Sequence, residues 1–243
     1  MTAPSAERAL PMSLIHNPRL QKLVGGTIFE RLWLFSISKV QLFLLGGHKD
    51  LRVVRRIRQI RKARSSLQTA YELYMVHSLA TAYREVPGQM AEVGVYQGAS
   101  AKLLCEAKGD KPLHLFDTFE GLPKPSERDR AVHGEKQYAC SLESVQAVLK
   151  DQPGVYYHKG MFPQSAADVP EATYTFVHCD VDLYESTLAC LKYFYPRMTK
   201  GGVILSHDYS ILAGVKLAFT EFLEDKPESP IELPSTQCML VKL

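Results

Sequence analysis

No uninterrupted apolar run in this 243-residue sequence approaches the ~18–20 residues that a bilayer-spanning helix needs. The most apolar stretch, Ile28 to Gly47, is broken by Glu30, Arg31 and Lys39. The start, MTAPSAERALPMS, lacks the charged and apolar regions of a secretory signal. Cysteine is scarce: Cys105, Cys140, Cys179, Cys190 and Cys238 form an odd set without one C-x-x-C pair, so neither a disulfide framework nor a cysteine-based zinc site is indicated. Cys105, Cys179 and Cys190 lie in apolar stretches, the habit of buried thiols in a reducing compartment, so a cytoplasmic location is expected. With 46% hydrophobic and 23% charged residues, the composition is that of a globular protein and excludes disordered and collagen-like classes.

The formal net charge of +3 conceals an imbalance. Residues 1–66 carry thirteen Lys/Arg against three Asp/Glu, whereas residues 67–243 carry sixteen against twenty-three. The expected organisation is therefore a basic helical N-terminal arm, residues 1–66, joined to an acidic body, residues 67–243.

Periodicity predicts an amphipathic helix from Ile28 to Leu45 closed by Gly46-Gly47. A second helix, Asp50 to Arg64, has a narrow apolar stripe (Leu51, Val53, Val54, Ile57, Ile60) and a broad cationic face. A third runs roughly from Ser66 to Arg84. From Met90 strands alternate with helices: MAEVGVY, LHLFDTF, VYYHKGMF, YTFVHCDVD and VILSHDY are strands, the last entered through Lys200-Gly201-Gly202. Ser141 is the expected N-cap of the helix SLESVQAVLKD. PIELP and QCMLVKL are close enough to pair antiparallel at an edge. The expected fold is α/β, a mostly parallel Rossmann-like sheet covered on both faces, with ligands at the carboxyl ends of the strands.

The first strand and turn read Glu92-Val-Gly94-Val-Tyr96-Gln-Gly98-Ala-Ser100. The glycines permit a tight turn and close approach of a ligand to backbone N–H groups. The dinucleotide fingerprint G-x-G-x-x-G is absent, since its third glycine is missing and the spacing differs. An acid two positions before the first glycine suits a ligand ammonium better than a pyrophosphate. The second strand ends in Asp117, a carboxylate placed to accept hydrogen bonds from ribose hydroxyls. E-x-G-x-x-x-G followed by an acid ending strand two resembles the S-adenosylmethionine-binding core of class I methyltransferases, as does the trailing antiparallel pair.

Strands four and five end in Asp180-Val-Asp182 and in His207-Asp208, bringing these side chains to one edge of the sheet. Clustered carboxylates repel unless a positive group sits between them, and a hard divalent cation such as Mg²⁺ is a natural occupant. Such an ion would lower the pKa of a substrate hydroxyl and orient its oxygen. Asp182 is read as the cap of the following helix, and His178, on a strand that should be buried, as a hydrogen-bonded structural residue.

The stretches EVGVYQGASA, LFDTFEGLPKP, KGMFP, DVDLYEST, YPRMTKGGVILSHDY and VKLAFTEF resemble the macrocin/mycinamicin O-methyltransferase family across about residues 66–243. The resemblance implies S-adenosylmethionine- and Mg²⁺-dependent methylation of a hydroxyl on a small molecule, commonly a sugar or glycosylated natural product, often by a homo-oligomer. Carried onto this chain, it implies metal binding by Asp180, His207 and Asp208. The family pattern has Asp-Asp-Tyr where this chain has His207-Asp208-Tyr209, and imidazole is a poorer Mg²⁺ ligand than carboxylate. His207 is therefore open to three roles: base, ligand to a softer metal, or substrate contact.

The expected cofactor contacts are Glu92, Gly94, Val95, Tyr96, Gly98, Ser100 and Asp117, with Thr118 and Phe119 beside the adenine and Gly160, Met161 and Phe162 near the same ring. Met161 and Phe162 are equally readable as plain core. Asp180 is the first choice of general base and His207 the second. Residues 120–138 form a loop long enough to serve as a lid over the substrate. The arm's arginines suit a solvated face, an anionic membrane surface or a subunit contact. Nucleic acid is the weakest option, because aromatic residues are not interleaved with the cations. Two other readings are a silent S-adenosylmethionine-binding or membrane-associated accessory protein, and a nicotinamide-dependent oxidoreductase.

Overall fold

Backbone valence decides the centre of the molecule, because apolar runs too short for helices can satisfy their N–H and C=O groups only by pairing with one another. In the computed structural model, which describes residues 17, 21–23, 25, 27–64, 66–130 and 132–243, seven strands pair in the order β3-β2-β1-β4-β5-β7-β6. They are β1 (Gln89–Val93), β2 (Leu113–Asp117), β3 (Val155–Lys159), β4 (Tyr174–Cys179), β5 (Met198–Ser206), β6 (Ile231–Glu232) and β7 (Cys238–Val241). The first five are parallel, and β7 runs antiparallel to both β5 and β6. This is the expected Rossmann-like methyltransferase sheet. Segment 1–13, read as lacking a secretory signal, lies outside the described residues; among those described, no helix is long and apolar enough to cross a membrane.

The helices are α1 (Ile28–Gly46), α2 (Leu51–Ala63), α3 (Ala70–Ala82), α4 (Ala99–Ala107), α5 (Leu142–Leu149), α6 (Tyr184–Phe194) and α7 (Ala213–Phe222). Two apolar clusters fill the two sides of the sheet. One is built around Phe116, Phe194 and Phe219 and the other around Met90, Leu104 and Leu115. A third joins the arm to the body, with Leu42, Leu45, Val54, Ile57 and Ile60 packed against Leu73, Ala99 and Leu103. The apolar stripe of α2 thus faces inward. Some arm cations turn inward with it: Arg56 pairs with Glu106, and Arg64 donates to the Ser144 carbonyl at 2.8 Å.

Local chemistry fixes several boundaries. Asp50 caps α2 by accepting from the Arg52 N–H at 2.8 Å, and Ser141 caps α5 as expected. The third helix begins at Ala70, later than the expected Ser66, because Thr69 and Glu72 close a reciprocal capping box. Strand five begins earlier than expected. It starts at Met198, and Lys200-Gly201-Gly202 form an irregularity within it, where the partner of β4 jumps from Met198 to Val203. A Cβ on Gly202 would lie 2.8 Å from the Thr199 carbonyl oxygen, so the bulge needs glycine there.

Candidate active site

The sheet register places the chemistry. Val93 pairs with both Phe116 and Cys179, and Cys179 pairs with Ser206, so the central strands end at one level. Gly94, Asp117, Asp180 and His207 therefore stand side by side at the carboxyl edge, where the topology switches between β1 and β4. A cavity of about 740 Å³ opens there, within the size range of small-ligand sites.

At one end of the cavity, the turn after β1 is held by Asp117. Its Oδ2 accepts the Val95 and Tyr96 N–H groups at 2.6 and 3.0 Å, and its Oδ1 accepts Phe119 N–H at 2.7 Å. Of the ~four acceptor positions of a carboxylate, about one is left for a ligand. Gly94 has φ +86°, and a Cβ on it would lie 1.8 Å from the Asp180 carbonyl oxygen. This glycine therefore allows the ends of β1 and β4 to meet. Gly98, at φ +77°, is the N-cap of α4.

Among the expected cofactor contacts, Gly94, Val95, Tyr96, Ser100, Asp117, Thr118, Gly160, Met161 and Phe162 line the cavity. Phe162 also stacks on Phe194 with ring centroids 5.4 Å apart, so it serves the core as well. Glu92, Gly98 and Phe119 stand behind the lining. Phe119 is part of the apolar core. Glu92 is fully buried, with its Oε1 2.8 Å from His178 Nδ1. Burial pushes the Glu92 carboxyl up against the lowering effect of His178.

At the other end, His207 lies among three carboxylates. Its Nδ1 is 3.2 Å from Asp180 Oδ1 and 2.9 Å from Asp208 Oδ2, and its Nε2 is 3.2 Å from Glu72 Oε2. These are ion-pair distances, yet neither buried ring nitrogen has an aligned hydrogen-bond partner. Burial opposes charge on the ring, but Asp180, Asp208 and Glu72 together hold the imidazolium well above its usual range. Conversely, burial would raise Asp180 and Glu72, and the charge of His207 holds both below the usual carboxylate range. Asp182 goes the other way: burial, then Asp208 and Asp180, push it well above that range.

Asp182 is not the helix cap expected from its position. Its φ is +59°, and the N-cap of α6 is Leu183, which makes no side-chain bond. The first turn is instead served by Asp129, whose Oδ1 accepts the Tyr184 N–H at 2.6 Å across 55 residues of chain. His178, by contrast, has the buried, hydrogen-bonded place expected of it.

Several site residues escaped sequence reasoning. Gln68 Nε2 donates to Asp180 Oδ2 at 2.6 Å and lies 3.4 Å from His178 Nε2. Glu92, His178, Gln68, Asp180, His207 and Glu72 thus form one continuous polar chain beneath the cavity. The pattern Thr69-x-x-Glu72 signals a capping box and nothing more, although Glu72 also accepts from Thr236 Oγ1 at 2.7 Å. The 120–138 loop contributes Leu122, His133 and Tyr138 to the lining, and α1 contributes Trp33, Leu34 and Ile37. His133 has two ring nitrogens without a hydrogen-bond partner, and burial holds it below the ordinary histidine range.

Asp180, His207 and Asp208 each offer a ligand atom, all within 4.8 Å of one another. The three carboxylates favour the imidazolium, so a cation would have to displace the Nδ1 proton; with the Nε2 proton kept toward Glu72, the Nδ1 lone pair would then join the two carboxylates. These donors fit a divalent cation, with a carboxylate behind the imidazole as metal-bound histidines commonly have. A mixed nitrogen and oxygen set favours Mn²⁺ or Zn²⁺ over Mg²⁺.

Comparison with known proteins matches residues 74–237 to the profile of the Macrocin-O-methyltransferase (TylF) family. The chain is similar to the 8-demethyl-8-(2,3-dimethoxy-alpha-L-rhamnosyl)-tetracenomycin-C 4'-O-methyltransferase of Streptomyces olivaceus, 32% identical over 52% of this chain and 54% of that protein. It is 30% identical to the mycinamicin III 3''-O-methyltransferase of Micromonospora griseorubida, over 56% of this chain and 61% of that one. The chain thus spans little more than half the length of these relatives. In fold it is similar to the O-methyltransferase NovP, with a TM-score of 0.65, 23% identity, and coverage of 73% of this chain and 81% of that one.

Proposed function

Because the chain belongs to the macrocin O-methyltransferase family, we propose that it transfers a methyl group from S-adenosylmethionine to a hydroxyl of a small sugar or glycosylated natural product. The observation that carries this reading is the two-ended cavity. A strand-turn-helix with a carboxylate behind it stands at one end, and a cluster of ionised groups around His207 stands at the other.

When bound, S-adenosylmethionine supplies a methyl on a sulfonium, and a divalent cation on Asp180, His207 and Asp208 would acidify the acceptor hydroxyl. The chain's own residues do the rest. The remaining acceptor position of Asp117 receives a ribose hydroxyl. Asp180, pinned by Gln68 and His207, accepts the proton as the substrate oxygen forms its bond to the methyl carbon and the carbon–sulfur bond breaks. His133, held below the ordinary histidine range by burial, faces the cavity as a second proton acceptor. Leu122, His133 and Tyr138 of the loop and Trp33, Leu34 and Ile37 of α1 wall the cavity where the acceptor would enter. All five cysteines are free, which accords with a reducing cytoplasm.

Calorimetric titration with S-adenosylhomocysteine, with and without Mg²⁺ or Mn²⁺, tests the reading. Binding is expected, with Asp117→Ala abolishing it and Asp180→Ala removing the metal effect. Failure of the wild-type chain to bind would overturn it.

A further inference from the structure

The cavity side of α1, with Leu34 and Ile37, is partnered, but the face beside it is not, and Trp33 stands on the border of the two. Phe29, Leu32, Trp33, Phe35, Val40 and Phe43 are each between 54% and 80% exposed. Phe29/Leu32, Phe29/Trp33, Trp33/Val40 and Val40/Phe43 are three, four, seven and three residues apart, which makes one apolar strip along the helix with Phe35 beside it. An exposed strip of this size marks an interaction surface. Its surroundings are cationic: residues 28–64 hold ten Lys/Arg and two Asp/Glu. Arg55, Arg58 and Lys62, also three and four apart, are exposed on α2 and have no carboxylate partner among the described residues. The two helices form a hairpin through Gly46-Gly47, and Arg61 Nη2 donates to the Leu34 carbonyl at 3.2 Å. Lys39 Nζ lies over the Phe35 ring, 4.4 Å from its centroid, so a cation also sits beside the strip.

We propose that the α1–α2 hairpin docks this protein on an anionic lipid surface, with the apolar strip entering the acyl boundary and the flanking cations meeting lipid phosphates. The charge decides between occupants. A two-fold contact with a second copy would set this cationic surface against itself, whereas an anionic bilayer complements it. Docking would also bring the wall formed by Trp33, Leu34 and Ile37 to the interface, so that an acceptor hydroxyl carried on an apolar anchor could enter from the membrane.

Trp33 is the only tryptophan in the chain, so its emission reports on the strip directly. The test is co-flotation of the full chain, with Trp33 fluorescence, on neutral phosphatidylcholine vesicles and on vesicles enriched in phosphatidylglycerol. Binding and a blue shift are expected with anionic vesicles only, weakening steeply as salt rises. Phe29→Ser with Leu32→Ser and Phe43→Ser should abolish both. Arg55→Glu with Arg58→Glu and Lys62→Glu, on exposed positions, should weaken binding about a hundredfold or more. Circular dichroism melts and S-adenosylhomocysteine binding by both variants confirm folding and separate this inference from the methyltransferase reading. No binding to anionic vesicles, or equal binding to neutral ones, overturns the proposal. So does self-association of the lipid-free chain that the apolar variant removes without any vesicle binding in the wild type; the strip would then belong to a second copy.

Discussion

Gly94→Ala is expected to damage the fold before it damages ligand contact. Its φ of +86° costs an alanine about 1–2 kcal/mol. The added methyl would sit 1.8 Å from the Asp180 carbonyl oxygen, a backbone atom that cannot rotate aside. Displacing the end of β4 adds about 1–3 kcal/mol of overpacking. The sum, about 2–5 kcal/mol, corresponds to a fall in Tm of roughly 4–20 °C for a chain of this size. Gly98→Ala is the internal control. It has similar backbone strain at φ +77°, but its Cβ would meet only the Val145 side chain at 3.3 Å. Its loss should stay near 1–2 kcal/mol, or roughly 2–8 °C. Thermal melts of both variants in parallel, followed by S-adenosylhomocysteine titration, check the difference. If Gly94→Ala melts like wild type and loses only ligand affinity, the glycine serves ligand approach and the packing argument is wrong.

Asp129→Ala should cost about 1–2 kcal/mol through the lost α6 cap, whereas Asp182→Asn should cost less, since burial and the neighbouring Asp208 and Asp180 already disfavour that carboxylate's charge; chemical denaturation would contradict both assignments if the order were reversed. Glu72→Gln keeps one acceptor oxygen, enough for Thr236 or Thr69 but not both, and leaves His207 one carboxylate short. Removing one member of a buried ion pair costs about 3–5 kcal/mol, and a Tm within 2 °C of wild type (against an expected ~6 °C or more) would show that the pair carries no such weight. His114, stacked on His158 with Nδ1 and Nε2 2.9 Å apart, is lowered to about 4, by burial first and His158 second. Its folded pKa lies below its unfolded value of 6.5, so the unfolded chain binds the proton first and stability falls as pH drops from 6.5 toward 4. The loss is about 3 kcal/mol at most. Urea midpoints across that range should slope less in His114→Gln; equal slopes would place the acid sensitivity elsewhere.

How much of this was legible depended on whether the cause was local. The strand-end motifs could be read because buried parallel strands announce themselves as short apolar runs, and chemistry follows at their carboxyl ends. The Ser141 cap could be read because donor and acceptor lie three residues apart. The cap of α6 could not, since Asp182 stands in the expected place while the bond comes from Asp129. The Lys200-Gly201-Gly202 stretch looks like a loop before β5, yet pairing with β4 draws it into the strand as a bulge.

The arm shows the same division within one segment. Its amphipathic and cationic character follows from residue order alone. That α1 lends Trp33, Leu34 and Ile37 to the cavity while exposing its other face depends on how the hairpin packs on α3 and α4. In the same way, sequence alone determined the sheet class, the succession of strands along the chain and which acids end them, because each follows from periodicity within a dozen residues. Only the tertiary structure decided the company those acids keep. Glu72 and Gln68 meet His207 and Asp180 from more than a hundred residues away, and protonation states are set by burial and by charges within a few ångströms, whichever part of the chain supplies them.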